Sequence, residues 1–215
     1  MVDWNWDLIL QVSKVFSILI ASGVAIWGIN SWRREFRWKL RFEVAEEMMG
    51  LLYQIRDSID QIRSPFYSTS ESHEREKLEN ENPNEKKRKD LEYIGTARIN
   101  KYQNLFSKFL EKRYKFSAIF GEHHLENFKK IDDVLGEIYA SYYVVFNEDY
   151  DIDKEYLDEQ TKSDFIEQRK KARMVIHKSY GNNSDAISIK VQEVIDVAES
   201  SVESILKTGV KFPNV

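Results

Sequence analysis

The hydrophobic pattern of this chain changes character once, near residue 40. Residues 8–29 form a largely apolar run, interrupted by Gln11, Ser13, Lys14, Ser17 and Ser22, whereas the later segments carry apolar residues in single stripes. At ~1.5 Å rise per residue, a helix over 8–29 spans roughly 33 Å, about one hydrocarbon core. Trp4 and Trp6 flank one end and Trp27 and Trp32 the other, where amphipathic indoles favour the headgroup level. The pattern predicts a single N-terminal transmembrane helix. A cleaved signal peptide fits less well, because Asp3 and Asp7 precede the run and no Lys or Arg does. Arg33, Arg34, Arg37, Lys39 and Arg41 crowd the following flank. The positive-inside rule then puts the N-terminus outside and the bulk of the chain in the cytoplasm.

Beyond that flank, Leu40, Val44, Met48, Leu51, Ile55, Ile59 and Ile62 recur at steps of three and four, one face of a helix. No proline intervenes before Ser64-Pro65, so the spanning helix is expected to continue to about residue 63 and stop there. Residues 66–90 are too polar to offset their ordering entropy and read as a mobile insertion, with the basic tetrad Lys86-Lys87-Arg88-Lys89 at its end. Apolar stripes resume over 85–120, with Gly121 as a stop, and over 122–146. An acidic loop follows at 147–153, then a helix over 158–178. A turn at 181–184 offers Asn183 or Ser184 as caps, and a last helix carries Ile187, Val191, Val194, Ala198, Val202 and Ile205 until Gly209. No stretch alternates with period two. The expected fold is all-α, with an anchor and basic flank at 1–39 and a cytoplasmic antiparallel helical bundle at 40–215.

Within the span, Asp7, Gln11, Lys14, Ala21, Ala25 and Gly28 share one face. Small residues let helices approach closely, and Gln11 can hydrogen-bond across them. Lys14 lies within snorkelling reach of the outer interface. This face predicts a homo-oligomer within membrane lipid; a polar path through that oligomer is the alternative.

Composition trims the remaining options. The absence of cysteine excludes disulfides and thiolate metal sites. A net charge of −4 gives no general footprint for nucleic acid, so nucleic acid is not an expected partner. His123-His124 cannot easily share a metal, because neighbouring helix positions point about 100° apart; the pair reads as a polar helix start. The acidic loop lacks the glycine and helical frame of a calcium site. No cofactor or metal is therefore expected. Tyr139, Tyr142, Tyr143, Phe146, Tyr150 and Tyr156 read as rim tyrosines of a core, with a pocket for a planar ligand as the alternative.

Two resemblances bear on function. The segments Trp27-Gly28-Ile29-Asn30-Ser31-Trp32-Arg33-Arg34-Glu35-Phe36, Ala45-Glu46-Glu47 and Ile62-Arg63-Ser64-Pro65-Phe66 resemble a set of uncharacterised bacterial single-pass membrane proteins. That resemblance implies the bacterial inner membrane and brings no activity. Arg169, Arg173 and His177 follow one another at steps of four, which is similar to the Arg and His pairing of HEPN ribonucleases. The HEPN motif places four to six residues between Arg and His; here three follow Arg173 and seven follow Arg169. An interaction protein that oligomerises, with a cytosolic protein partner, is the leading expectation. A sensor or effector in a bacterial stress or defence system suits that architecture by analogy alone. A tethered HEPN-like RNA module is the alternative.

Overall fold

The computed structural model describes residues 6–76, 81–146, 158–179 and 185–207. Among them there are six α-helices and no strand. Helix α1, Trp6–Ile62, runs 57 residues without interruption, as the unbroken apolar pattern and the lack of proline predict. Its second half joins α3 (Gln103–Phe120), α4 (His123–Phe146) and α6 (Ala186–Lys207) in a bundle.

Cross-links fix the directions. Glu47 meets Lys112 and Gln61 meets Tyr102, so α3 runs antiparallel to α1. Tyr53 bonds Glu199 while Arg63 bonds Asp185, so α6 does the same. Asn127 donates to the Val194 carbonyl and Lys190 pairs with Glu137, setting α4 antiparallel to α6. The helices α2 (Pro83–Lys101) and α5 (Glu159–Ile176) pack on the outside, chiefly against α4.

The α1 stripe is the floor of the core. Met48, Ile55, Ile59 and Ile62 are all but sealed from solvent, facing Phe109, Phe128, Ile138 and Val194. Each such side chain contributes about 1.5–3 kcal/mol by leaving water. The first half of α1 buries nothing: every residue from 10 to 30 is exposed.

Three local expectations are revised. The single helix over 85–120 is two helices, broken at Tyr102 (φ −101°, ψ 6°). The break serves contacts with α1: the Tyr102 hydroxyl bonds Gln61, and Arg98 donates to the carbonyls of Ser64 (2.7 Å) and Phe66 (2.6 Å) just past the end of α1. The stretch 66–90 carries structure in its described parts. Ser68 and Glu71 form a capping box on a 3-10 turn, Thr69–Ser72, and Arg75 bridges Glu81 (2.6 Å) and Asp90 (2.7 Å). The cap of α6 is Asp185, which accepts from the backbone N–H and hydroxyl of Ser188. Asn183, Ser184, Gly209 and the acidic loop lie outside the described residues. Gly121 does stop α3, at φ 124°, a conformation that L side chains rarely adopt.

Gly95 is the closest approach of α2 to α4. A Cβ there would lie 2.2 Å from the Tyr142 ring, which is itself held by a 3.1 Å bond from its hydroxyl to the Ile62 carbonyl. Gly95→Ala gains about 1 kcal/mol of helix propensity. The clash costs more, about 1–3 kcal/mol through displacement of Tyr142. Thermal unfolding followed by circular dichroism should show the variant less stable than the wild type.

Candidate functional site

Helix α5 begins at Asp158, whose carboxylate accepts from the Thr161 N–H at 2.7 Å, and closes at His177. Residues spaced by four along it share a face, which is how Arg169, Arg173 and His177 come to line one groove. Across the groove stand Glu137 of α4 and the first turn of α6 from Asp185 to Ile187. The cavity measures about 1010 Å3, and Ile166, Met174 and Val175 add apolar wall.

Arg63 builds the end of this groove. It is completely buried, an unusual place for a guanidinium. Its Nη1 and Nη2 grip the two oxygens of Asp185 at 2.6 and 2.7 Å, a two-pronged fork. Its Nε donates to the Val175 carbonyl at 2.6 Å and Nη2 also to Met174 at 3.3 Å, so it satisfies carbonyls at the end of α5. The Arg63 carbonyl in turn accepts from the Lys178 N–H at 2.8 Å, and the Lys178 ammonium pairs with Asp60 at 2.5 Å. One residue after Ile62 therefore fastens the C-terminus of α5 and the N-terminus of α6 to the end of α1. Burial pushes the Asp185 carboxyl up, but bonds from Arg63 and Ser188 outweigh it and hold the group at about 2.

The groove is positive. Of its acids, Asp185 is committed to Arg63 and Glu137 to Lys190 (2.5 Å). Of its cations, Lys178 is committed to Asp60 and Lys171 to Glu167 (2.7 Å). Arg169, Lys170 and Arg173 have no ion-pair partner among the described residues, and the buried Nε of Arg169 has no hydrogen-bond acceptor there. The imidazole of His177 is held below its usual range, first by desolvation and then by Arg173, Arg63 and Arg98. The arrangement can hold an anion against an apolar wall.

The other expected residues lie elsewhere. Gln11, Lys14, Ala21, Ala25, Gly28, Trp27, Trp32, Arg33, Arg34 and Arg37 are all exposed along the first half of α1, and Trp6 begins that helix. Trp4, Tyr150 and Tyr156 lie outside the described residues. Of the described members of the aromatic set, Tyr142 packs on Phe146, whereas Tyr139 and Tyr143 face solvent. Among the described residues no group of His, Asp and Glu is placed to hold a metal.

His123-His124 corrects the expectation of a polar helix start. His124 is fully buried, edge-on to Phe116 (centroids 5.0 Å apart) and stacked near Phe128 (5.8 Å). Neither of its ring nitrogens has a hydrogen-bond partner among the described residues. The sequence reading placed neither Arg63 nor His124 in the core. The available signal for each was spacing: 63 extends the apolar steps 55 and 59, and 124 sits one turn before Phe128.

Comparison with protein-family models, with curated proteins and with solved structures finds no match for this chain.

Proposed function

We propose that this chain is a membrane-anchored helical protein that self-associates through its span and acts through contacts of its bundle. The observation that carries the reading is the first half of α1. Its large apolar side chains are half exposed or more, and Phe16, Ile18, Ile20 and Val24 are more than 60% exposed. An amphipathic stripe would suit a partner surface; apolar residues all round suit hydrocarbon. The serines of the segment fit as well, since Ser13 and Ser17 donate their hydroxyls to the helix's own carbonyls at 2.9 and 2.8 Å. Five basic residues on the bundle side favour a cytoplasmic bundle under the positive-inside rule.

Self-association rests on the face of Gln11, Lys14, Ala21, Ala25 and Gly28. Among the described residues nothing beyond the helix's own backbone approaches within 4 Å of a Cβ built on Gly28, so a second helix is free to pack there. Light scattering of the nanodisc-embedded protein should give a discrete multiple of 25.5 kDa. Ala25→Leu with Gly28→Leu should reduce it to the single-chain mass. A single-chain mass for the wild type would defeat the self-association, and extraction of the chain from membranes by alkaline carbonate would defeat the anchoring.

One observation favours a second reading, an RNA-directed module: Arg169, Arg173 and His177 line a common groove. The Arg-to-His spacing still departs from the HEPN pattern.

A further inference from the structure

We infer that the groove between α4, α5 and α6 is a binding site for a small, soluble organic diphosphate of the nucleoside diphosphate class. Three observations converge. Among the described residues, three cations of the lining, Arg169, Lys170 and Arg173, are left without an ion-pair partner. A nucleoside diphosphate carries about three negative charges at neutral pH, its terminal phosphate ionising near pH 6. The buried Arg169 Nε is a donor without an acceptor among the described residues, and a buried unmatched donor costs about 1–3 kcal/mol unless something fills the gap. A phosphate oxygen is the acceptor that arginine holds best, with two parallel bonds.

The second feature is shape. Arg169, Lys170 and Arg173 share the lining with Ile166, Met174 and Ile187, a mixture that suits a ligand with both a charged and a less polar part. Ile166 and Met174 are more than half exposed, so their apolar surface is open to an occupant of the groove. A volume of about 1010 Å3 holds one nucleotide and is small for a folded polynucleotide. The α5 dipole does not account for the cluster. A helix C-terminus attracts about half a positive charge's worth of compensation, within its last turn, and Arg173 alone meets that.

The third is position. The groove lies at the Ile62 end of α1, 33 residues beyond Ile29 on one unbroken helix, or about 50 Å at ~1.5 Å per residue. If residues 8–29 sit in a bilayer, as proposed above, headgroups of that bilayer cannot reach it, which selects a soluble ligand. The cation cluster itself does not depend on the anchoring. Because Arg63 ties both walls of the groove to α1, an occupant pulling α5 and α6 together acts on the helix that leads to the membrane.

The test is a calorimetric titration of the full chain in zwitterionic-lipid nanodiscs with ADP, GDP and UDP in turn. Adenosine, inorganic phosphate, a 20-nucleotide RNA and vesicles containing 20% phosphatidylinositol phosphate serve as comparison probes. Saturable one-to-one binding of at least one diphosphate is expected, tighter than inorganic phosphate by about ten-fold or more, with no binding of adenosine. Arg169→Gln and Arg173→Gln should each weaken it about ten-fold without changing the thermal melt, whereas Lys115→Gln on α3 should not weaken it. No saturable binding of any of the three diphosphates overturns the inference, as does equal loss in Lys115→Gln. Preference for the RNA would overturn it in favour of an RNA module, and preference for the vesicles in favour of a lipid site. A failed titration with the self-association intact would leave the anchored reading standing, and the reverse result would separate them equally well.

Discussion

Replacing Arg63 with alanine should lower the stability of the bundle by about 3–5 kcal/mol, the usual cost of removing one partner of a buried ion pair. The loss has two parts. Asp185 would keep its place with only 10% of its side chain exposed and no counter-charge, and the carbonyls of Val175 and Met174 would lose their donor. For a chain of this size that corresponds to a fall in Tm of roughly 10 °C, measured by circular dichroism at 222 nm in detergent. The double variant Arg63→Met with Asp185→Leu should recover much of it, since replacing both partners leaves no charge unmatched. A double variant no better than Arg63→Ala would show that the carbonyl bonds, not the ion pair, hold the three helix ends together. Acid provides a second check. The Asp185 carboxyl sits below its ordinary value, so its contribution is complete above about pH 4 and fades as pH falls toward about 2. In Arg63→Ala only the Ser188 bonds oppose the burial of Asp185, so its carboxyl rises and this group's share of the acid-induced loss should shrink or reverse.

Much of the fold was legible because helices announce their buried side by spacing. Val44, Met48, Ile55, Ile59 and Ile62 were named from steps of three and four, and all are buried. The same rule located the inward faces of α4 and α6 through Phe128, Ile131, Ile138, Val191, Val194 and Ala198. What spacing could not supply was anything decided between helices. The break at Tyr102 follows from Gln61 and the carbonyls beyond α1, partners about 40 positions away. The bridge from Arg75 to Glu81 and Asp90 depends on a fold of 66–90 that composition alone reads as loose, because each residue there is polar and only their mutual geometry satisfies them. The candidate site was half legible. Steps of four put Arg169, Arg173 and His177 on one face, but not that the face would meet Glu137 and the first turn of α6. Arg63 continues the steps of four from Ile55 and Ile59, but its charge hides it from a reading by apolar stripes. A charged residue at a core position violates the binary pattern, and such violations are where function and specificity concentrate.

His124 is the other violation, and it should make the bundle acid-sensitive. The imidazole lies sealed among Phe116, Phe128 and His123, and burial, with a smaller contribution from His123, lowers its pKa to about 4. The unfolded chain titrates this group near 6.5. Between about pH 6.5 and about pH 4 the unfolded state therefore binds a proton that the folded state refuses, and stability falls with falling pH across that window. A separation of this size amounts to about 3 kcal/mol, complete once the pH is below both values. Denaturant midpoints of the full chain from pH 7 to pH 4 should record the decline. His177 is shifted the same way and contributes to the wild-type slope, so the isolating variant is His124→Phe. Phenylalanine fills nearly the same space, keeps the ring contacts and removes two buried nitrogens that lack partners. It should raise stability at pH 7 by about 1–2 kcal/mol and flatten most of the pH dependence. A His124→Phe protein that is less stable at pH 7, or as acid-sensitive as the wild type, would mean that the imidazole is solvated or bonded in solution. A stabilised, acid-resistant variant would mean that the chain carries a buried base at a cost to its own stability. The protonation of that base would loosen the packing of α3 against α4, at the end of the bundle where Arg41 of α1 lies over Phe120, so acidification would act first on the part of the bundle nearest the apolar half of α1.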